Sequence, residues 1–390
     1  MRIVTGLVFL LSVAFSGAAY AQAVAVIPFK LIDNRIIVPI TIEGQGPFQC
    51  IIDSGASSLI STEVAAQLGK SVALSEGPSG GVGENRVRSG STTLKTVQVA
   101  RGIEVHDVPT TAMPFDDTIP VFGKVKIDAV FGTPLFEQFT VIVDYDKREL
   151  SFQPKTIAIA SGNAVVIPIE RSGIPIVSAK LDGVPARFGL DLGARSSLLL
   201  YTPFIEKNGL REKYHASFNT ITGWGIGGPV RSQIARAKTL ELGGVSVNDI
   251  VIRLSTQKTG GTTYSRFDGL IGPDVLKQFR VTFDYAHNRV LLERSSLFGK
   301  RDSYDRLGAW FIQKDDAFSV LEVVPDGPAA KAGLRKDDIV LAIDGHPTSS
   351  LLLPEARTRL RTLPSGSSVR FQIKRGTETL ELRAVLRDLV

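Results

Sequence analysis

Cysteine is almost absent. Cys50 is the only one in 390 residues, so no intramolecular disulfide can form and the fold must rest on its core, which this length permits. Within the apolar run FQCII it reads as a small buried hydrophobe rather than a nucleophile. Histidine is scarce as well. The four, at 106, 215, 287 and 346, stand apart without metal-ligand spacing, and no motif asks for a metal or a cofactor. The formal net charge is +6, yet there is no basic tract. The tightest cluster, RTRLR at 357–361, alternates with apolar residues like one face of a helix and has no interleaved aromatics, which argues against nucleic acid as a partner. No stretch after the N-terminus is long and apolar enough for a stable membrane span.

The N-terminus itself, MRIVTGLVFLLSVAFSGAAYAQA, has a basic Arg2, a short apolar core and Ala19-Tyr20-Ala21 as an A-x-A site. That is the pattern of a secretory signal peptide over residues 1–21, with cleavage after Ala21. It implies export to the periplasm, or release outside the cell. The remaining chain, in a protein 43% hydrophobic and 22% charged, is expected to fold into two or three packed domains.

A long internal repeat organises it. Residues 26–61 match 166–200, pairing Pro28 with Pro168 and Asp53 with Asp191. Residues 127–152 match 267–292, pairing Gly132 with Gly272 and Asp144 with Asp284. The offset is nearly constant, the mark of a duplicated domain. Runs such as RIIVPITI, TVIVDYD and RVTFDYA alternate and are rich in β-branched residues, so each copy reads as mainly β. Helices are predicted at 59–69, 133–139 and 273–279, with a polar link around Asn163. Two similar β lobes thus span residues 24–156 and 163–295.

Each lobe sends an apolar run into an acid: FQCIIDSGA at Asp53 and RFGLDLGA at Asp191. A buried unpaired carboxylate is costly, so each needs a partner. A pseudo-twofold arrangement makes each the partner of the other. Two carboxyls in contact share one proton, which equips the pair for general acid–base hydrolysis through a bound water. Gly55 and Gly193 permit the tight turns. Ser54 is placed to brace the opposite loop, and VFG (130–132) and LIG (270–272) to pack beneath the loops. Two decoys fail. GPSGG (77–81) fits G-x-S-x-G but lacks the strand–helix context, and GWGIGG (223–228) fits a dinucleotide motif but leads into a hairpin arm rather than a helix.

The DSGA and DLGA motifs, each followed by its apolar-apolar-Gly run (AVFGTPLF, GLIGPDVL), resemble the pepsin/retropepsin superfamily of aspartic peptidases. Ala56, Ala194 and the short lobes bring the chain nearer to retropepsins, here with both halves in one chain. The resemblance implies a bilobal acid-protease fold, catalytic Asp53 and Asp191, supporting Ser54, Gly55, Ala56, Gly193 and Ala194, and a polypeptide substrate between the lobes. It also implies flaps, for which Gly81, Val82 and Gly83, and Gly223, Trp224 and Gly225, are the candidates. Leu192 departs from the family's Thr or Ser and removes one brace; on that ground a weak or inactive, peptide-binding homologue is the alternative. Leu192→Thr is expected to restore the brace. Arg195, after the second loop, could pair with a carboxylate if turned inward, and solvent is the expected direction.

Beyond a polar connection, residues 304–390 resemble a PDZ domain of the bacterial exported-protease kind, most specifically VVPDGPAAKAGLRKDDIVLAIDGHP (323–347). By that resemblance Leu307, Gly308 and Ala309 would take a peptide or protein C-terminal carboxylate. The strand with Trp310 and Phe311 would pair with the peptide, and a helix at 353–363 would form the other wall.

Overall fold

The computed structural model describes residues 25–78, 80–115, 120–156, 162–216 and 218–390; the proposed signal peptide lies outside the described residues. Three sheets carry residues 25–294. The first lobe has eight strands in the spatial order Lys30–Ile32, Arg35–Ile42, Gln45–Ile52, Ala129–Phe131, Ser58–Ser61, Ile103–Met113, Arg86–Ala100, Ser75–Pro78. The second lobe repeats that order with Glu170–Arg171, Pro175–Leu181, Val184–Leu190, Gly269–Ile271, Leu198–Leu200, Val245–Ser255, Gly228–Leu242 and Asn219–Gly225. In each, an extra pairing folds the sheet back on itself: Arg35–Ile42 with Arg86–Ala100, and Pro175–Leu181 with Gly228–Leu242.

A six-stranded sheet joins the lobes. Its centre is the antiparallel pair Phe139–Asp144 and Phe279–Asp284, with Ile142 opposite Thr282. These strands are the duplicated TVIVDYD and RVTFDYA, so the pseudo-twofold axis passes between them. Their inward side chains, Val141, Val143, Val281 and Phe283, are fully buried in one core shared by both lobes.

The predicted helices are shorter than expected. Residues 58–61 are a strand paired with Ala129–Phe131, because the apolar SLI run fills a sheet position; the helix is confined to Thr62–Gln67, where Ser61 caps it by accepting the Val64 N–H at 3.2 Å. Thr133–Gln138 and Pro273–Leu276 each begin with proline in the first turn and end where Phe139 and Phe279 enter strands.

The C-terminal domain is a further sheet, ordered Ala309–Lys314, Ala317–Val323, Ile339–Ile343, Ser368–Arg375, Glu378–Val385, with the helix Leu353–Thr362 against it. It has its own core of Phe311, Phe318, Val340, Phe371 and neighbours. Trp310 leaves that core and packs among Ile37, Val121 and Phe122 of the first lobe. Among the described residues no helix is long and apolar enough to cross a membrane.

Candidate active site

Each active-site loop springs from a strand end held on both sides. Gln45–Ile52 pairs in parallel with Ala129–Phe131, and Val184–Leu190 pairs likewise with Gly269–Ile271. The Asp53 N–H donates to Phe131 O at 3.1 Å and the Asp191 N–H to Ile271 O at 2.9 Å. The VFG and LIG runs therefore lie directly beside the two acids. Gly132 and Gly272 sit so close to the loop carbonyls of Asp53, Ala56 and Ser196 that a Cβ would overlap them.

The two acids meet. The Gly193 N–H is shared between the Asp53 and Asp191 carboxyls, 2.8 Å from Asp191 Oδ1 and 3.2 Å from Asp53 Oδ1. The Gly55 N–H donates to Asp53 Oδ1 at 2.7 Å and the Ala194 N–H to Asp191 Oδ1 at 2.9 Å. A Cβ on Gly193 would overlap the Asp53 carboxylate. Burial pushes both carboxyls above their usual range. Asp191 is pushed well above it, by burial first and then by the Asp53 charge, whereas backbone N–H groups and the Arg35 charge partly offset the rise at Asp53. Two carboxyls in contact do not both ionise readily, so the titration belongs to the pair.

The brace between the loops is one-sided. Ser54 Oγ, fully buried, donates to Leu190 O at 2.8 Å and accepts the Leu192 N–H at 3.0 Å. Leu192, at the matching position, has no hydroxyl to return the bridge and is itself fully buried in the core. The second loop is held instead by a hairpin that the sequence reading passed over. Asp33 and Asn34 form its turn with φ of 48° and 68°. Arg35 Nε donates to Gly193 O at 2.8 Å and Asn34 Nδ2 to Arg195 O at 2.9 Å. Asp33 pairs with Arg195 at 2.6 Å and with Arg35 at 2.8 Å. Arg195 accordingly turns inward rather than to solvent, drawn by a buried carboxylate that only the fold supplies. The one signal in the sequence was that DNR has no counterpart in the second copy, which reads RSG at 171–173.

Over the acids lies a cleft of about 500 Å³. Its roof is made by two hairpin tips that touch: the Gly83 N–H donates to Ile226 O at 2.9 Å and the Asn85 N–H to Gly227 O at 2.8 Å. Gly81, Val82, Gly223, Trp224 and Gly225 all line the cleft, and Gly83 lies in the tip contact. Cys50 is fully buried, its thiol pushed far up by burial, Asp128 and Asp53, and so unreactive.

Residues 38–135 and 177–275, together just over half of the chain, match the aspartyl protease family, and residues 306–386 match the PDZ domain. The chain belongs to the aspartyl protease family. It is similar to a retropepsin-like aspartic protease from Rickettsia conorii, at 18% identity over 33% of this chain and 89% of that one, with a TM-score of 0.25. No curated protein matches it.

The PDZ domain of this aspartyl protease is docked against the lobes with its groove occupied by the chain itself. The Asp305 side chain occupies the loop: it accepts the Leu307 N–H at 3.2 Å and the Gly308 N–H at 2.8 Å. The turn Pro120–Phe122 of the first lobe lies against both walls, the strand Ala309–Lys314 and the helix Leu353–Thr362. Arg357 donates from Nη1 to Val121 O at 2.8 Å and from Nη2 to Phe311 O. The Trp310 ring lies 5.5 Å from the Arg195 guanidinium and 4.9 Å from that of Arg357, which anchors the domain to the lobes. Arg361 reaches the buried Asp274 of the second lobe at 2.6 Å. Two arginines of RTRLR thus fasten domains together instead of standing on a solvated helix face.

Proposed function

We propose that the protein is an exported aspartic endopeptidase. The supporting observation is the contact between Asp53 and Asp191 at the floor of a roofed cleft. In this reading Asp53, the less strongly raised of the two carboxyls and the one the Arg35 charge favours, is the ionised base. It removes a proton from a water lying between the carboxyls while that water attacks the peptide carbonyl carbon. Asp191, holding the shared proton, donates it to the carbonyl oxygen as the oxygen gains charge. Collapse of the resulting diol, with a proton passed to the amine, releases two peptides, and no covalent enzyme intermediate forms. The flaps must part to admit a chain. Ala56 and Ala194 offer no hydroxyl to the charged form, and both carboxyls are pushed up by burial, so the working range lies toward neutral rather than strongly acidic pH.

The test is cleavage of an unfolded protein by the full-length chain. Asp53→Asn and Asp191→Asn should each abolish it, and the parent's pH–rate curve should be bell-shaped with both limbs belonging to the pair. Cleavage by Asp191→Asn at the parent's rate would refute the shared mechanism. Leu192 favours the second reading, a protein that holds peptides between its lobes without cutting them. Binding without cleavage at any pH would establish it. Export rests on Ala19-Tyr20-Ala21, and a mature N-terminus at Gln22 is the expected result of sequencing the secreted protein. For the PDZ domain we propose a carboxylate-dependent peptide site that opens only when Asp305 and residues 120–122 are displaced; equal affinity for free-acid and amidated peptides would exclude it.

A further inference from the structure

One cation of the cleft has no counter-charge. Arg253 lies on the strand Val245–Ser255 of the second lobe. Its neighbours Ile252 and Leu254 point into the lobe core, so alternation turns Arg253 to the other face. Opposite it in register stands Leu199, and opposite Leu199 stands Leu270; both line the cleft, as Arg253 does. Its side chain is buried, with 4% of the residue exposed, yet among the described residues neither Nε nor Nη1 has a hydrogen-bond partner. Among the described residues no carboxylate forms an ion pair with it. Asp274 and Asp302 are felt only at longer range and are themselves taken by Arg361. Tyr304 lies beneath the guanidinium at 5.6 Å. The other arginines of the cleft, Arg35 and Arg195, are already matched to Asp33. Burial lowers the Arg253 pKa only to about 10, so the group is charged at neutral pH.

A buried cation with idle donors is unfavourable unless an anion joins it. The repeat shows where this feature breaks the pseudo-symmetry. Thr111 pairs with Leu59 in the first lobe as Arg253 pairs with Leu199 in the second, and Thr111 is also in the cleft. Two otherwise matching subsites therefore differ by one full charge. We infer that Arg253 forms an anion-accepting subsite on the second-lobe side of the cleft, which selects polypeptide substrates bearing a carboxylate on one side of the scissile bond. The carboxylate is that of an aspartate or glutamate side chain or of the substrate's own C-terminus. Because an extended chain could otherwise lie either way across a two-fold site, this charge also sets its direction.

The inference rests on the peptidase reading for its substrate but is tested separately from it. Full-length protein is given peptides in which one aspartate is moved stepwise across the cleavage site, each beside its asparagine counterpart and each as free acid and as C-terminal amide. The aspartate peptide should be preferred in kcat/KM by about 30-fold or more, on one side only. If the C-terminus is the source, the preference follows the acid–amide pair instead. Arg253→Met should bring the ratio toward one, and Arg253→Lys should keep part of it. Should Arg253→Met not fold, the parent's own ratios and Arg253→Lys decide. The same peptides are titrated by fluorescence anisotropy onto Asp53→Asn. A parent that cuts but treats acidic and neutral peptides alike on both sides overturns the inference and leaves the peptidase reading standing. A parent that never cuts, while Asp53→Asn still prefers the acidic peptide through Arg253, overturns the peptidase reading and keeps the subsite. Absence of any carboxylate preference in both cleavage and binding overturns the subsite outright.

Discussion

Ser54→Ala isolates the hydroxyl bridge between the two active-site loops. The hydroxyl is fully buried and serves two backbone groups, Leu190 O at 2.8 Å and the Leu192 N–H at 3.0 Å. Alanine leaves both without a partner where water has no room to enter. A buried donor or acceptor left unpaired costs about 1–3 kcal/mol. Some relaxation is available because Arg35 and Asn34 still hold the second loop, so a loss of about 2–4 kcal/mol is expected for the pair of groups. Urea unfolding followed by far-UV circular dichroism measures it, as a lower midpoint with an unchanged slope. Cleavage should fall chiefly in kcat, since the bridge positions the acids and touches no substrate. Ser54→Thr, which keeps the hydroxyl, should recover most of both losses. A loss under about 0.5 kcal/mol for alanine, or a threonine variant as damaged as the alanine one, would refute the bridging role.

Gly193→Ala should abolish cleavage and destabilise the loop, because a Cβ there overlaps the Asp53 carboxylate; activity and circular dichroism of the purified variant check both. Leu192→Thr is expected to change stability by no more than about 1 kcal/mol, since a returned hydrogen bond is offset by lost apolar burial in the same denaturation assay. Asp191→Asn should raise the melting temperature relative to the parent on the alkaline side of the activity range. Its folded pKa is raised, so the stabilisation tied to its protonated form is full below the unfolded value and lost as pH climbs through the folded one; asparagine removes that loss. Asp33 and Asp274 have the opposite sign. Burial pushes both up, but arginines 195, 35 and 357 around Asp33, and Arg361 with Lys277 around Asp274, outweigh it and hold both below the usual range. Their stabilisation is present above about pH 4 and lost as pH falls through the folded values, so melting scans should show weakened docking of the PDZ domain only in strong acid.

The acids and their glycines are legible because duplication prints them twice, and the flap candidates follow from the family resemblance. A repeat at nearly constant offset fixes which residues face one another across the axis without any knowledge of packing, and the C-terminal motif is long enough to read locally. What escaped depends on docking. RTRLR shows a helix, but nothing local says that Arg357 and Arg361 face buried carboxylates of other domains. Asp305 reads as part of a linker until the turn places it over the N–H groups of its own loop. Arg195 reads as solvent-facing because its partner, Asp33, lies far away in sequence and has no equivalent in the repeat. Arg253 gave no signal either, since a lone arginine in an alternating strand looks like an outward-facing residue.

The asymmetry of the two loops has a physical logic. Duplication would supply a hydroxyl from each side, and the second copy has given its hydroxyl up for Leu192. A leucine at that site adds apolar burial to a shared core but leaves loop 193–195 with one bridge fewer. The hairpin at 33–35 restores the constraint from outside, through Gly193 O and Arg195 O. The carboxylate that orients its arginine, Asp33, is buried, and burying it is tolerable only because Arg195 and Arg35 pair with it and Arg357 of the PDZ domain lies 4.0 Å away. The loop carrying Asp191 is thereby made dependent on a domain that contributes nothing to the acids themselves. Losing Arg357 removes one of three cations from Asp33, bares Trp310 and frees Val121 O. Arg357→Met should therefore lower kcat although the residue lies outside the cleft, and should expose the groove between 309–314 and 353–362 to added peptide. A variant that binds peptide but retains the parent's kcat would show the groove to be independent of the active site, and the coupling argued from Asp33 would be wrong.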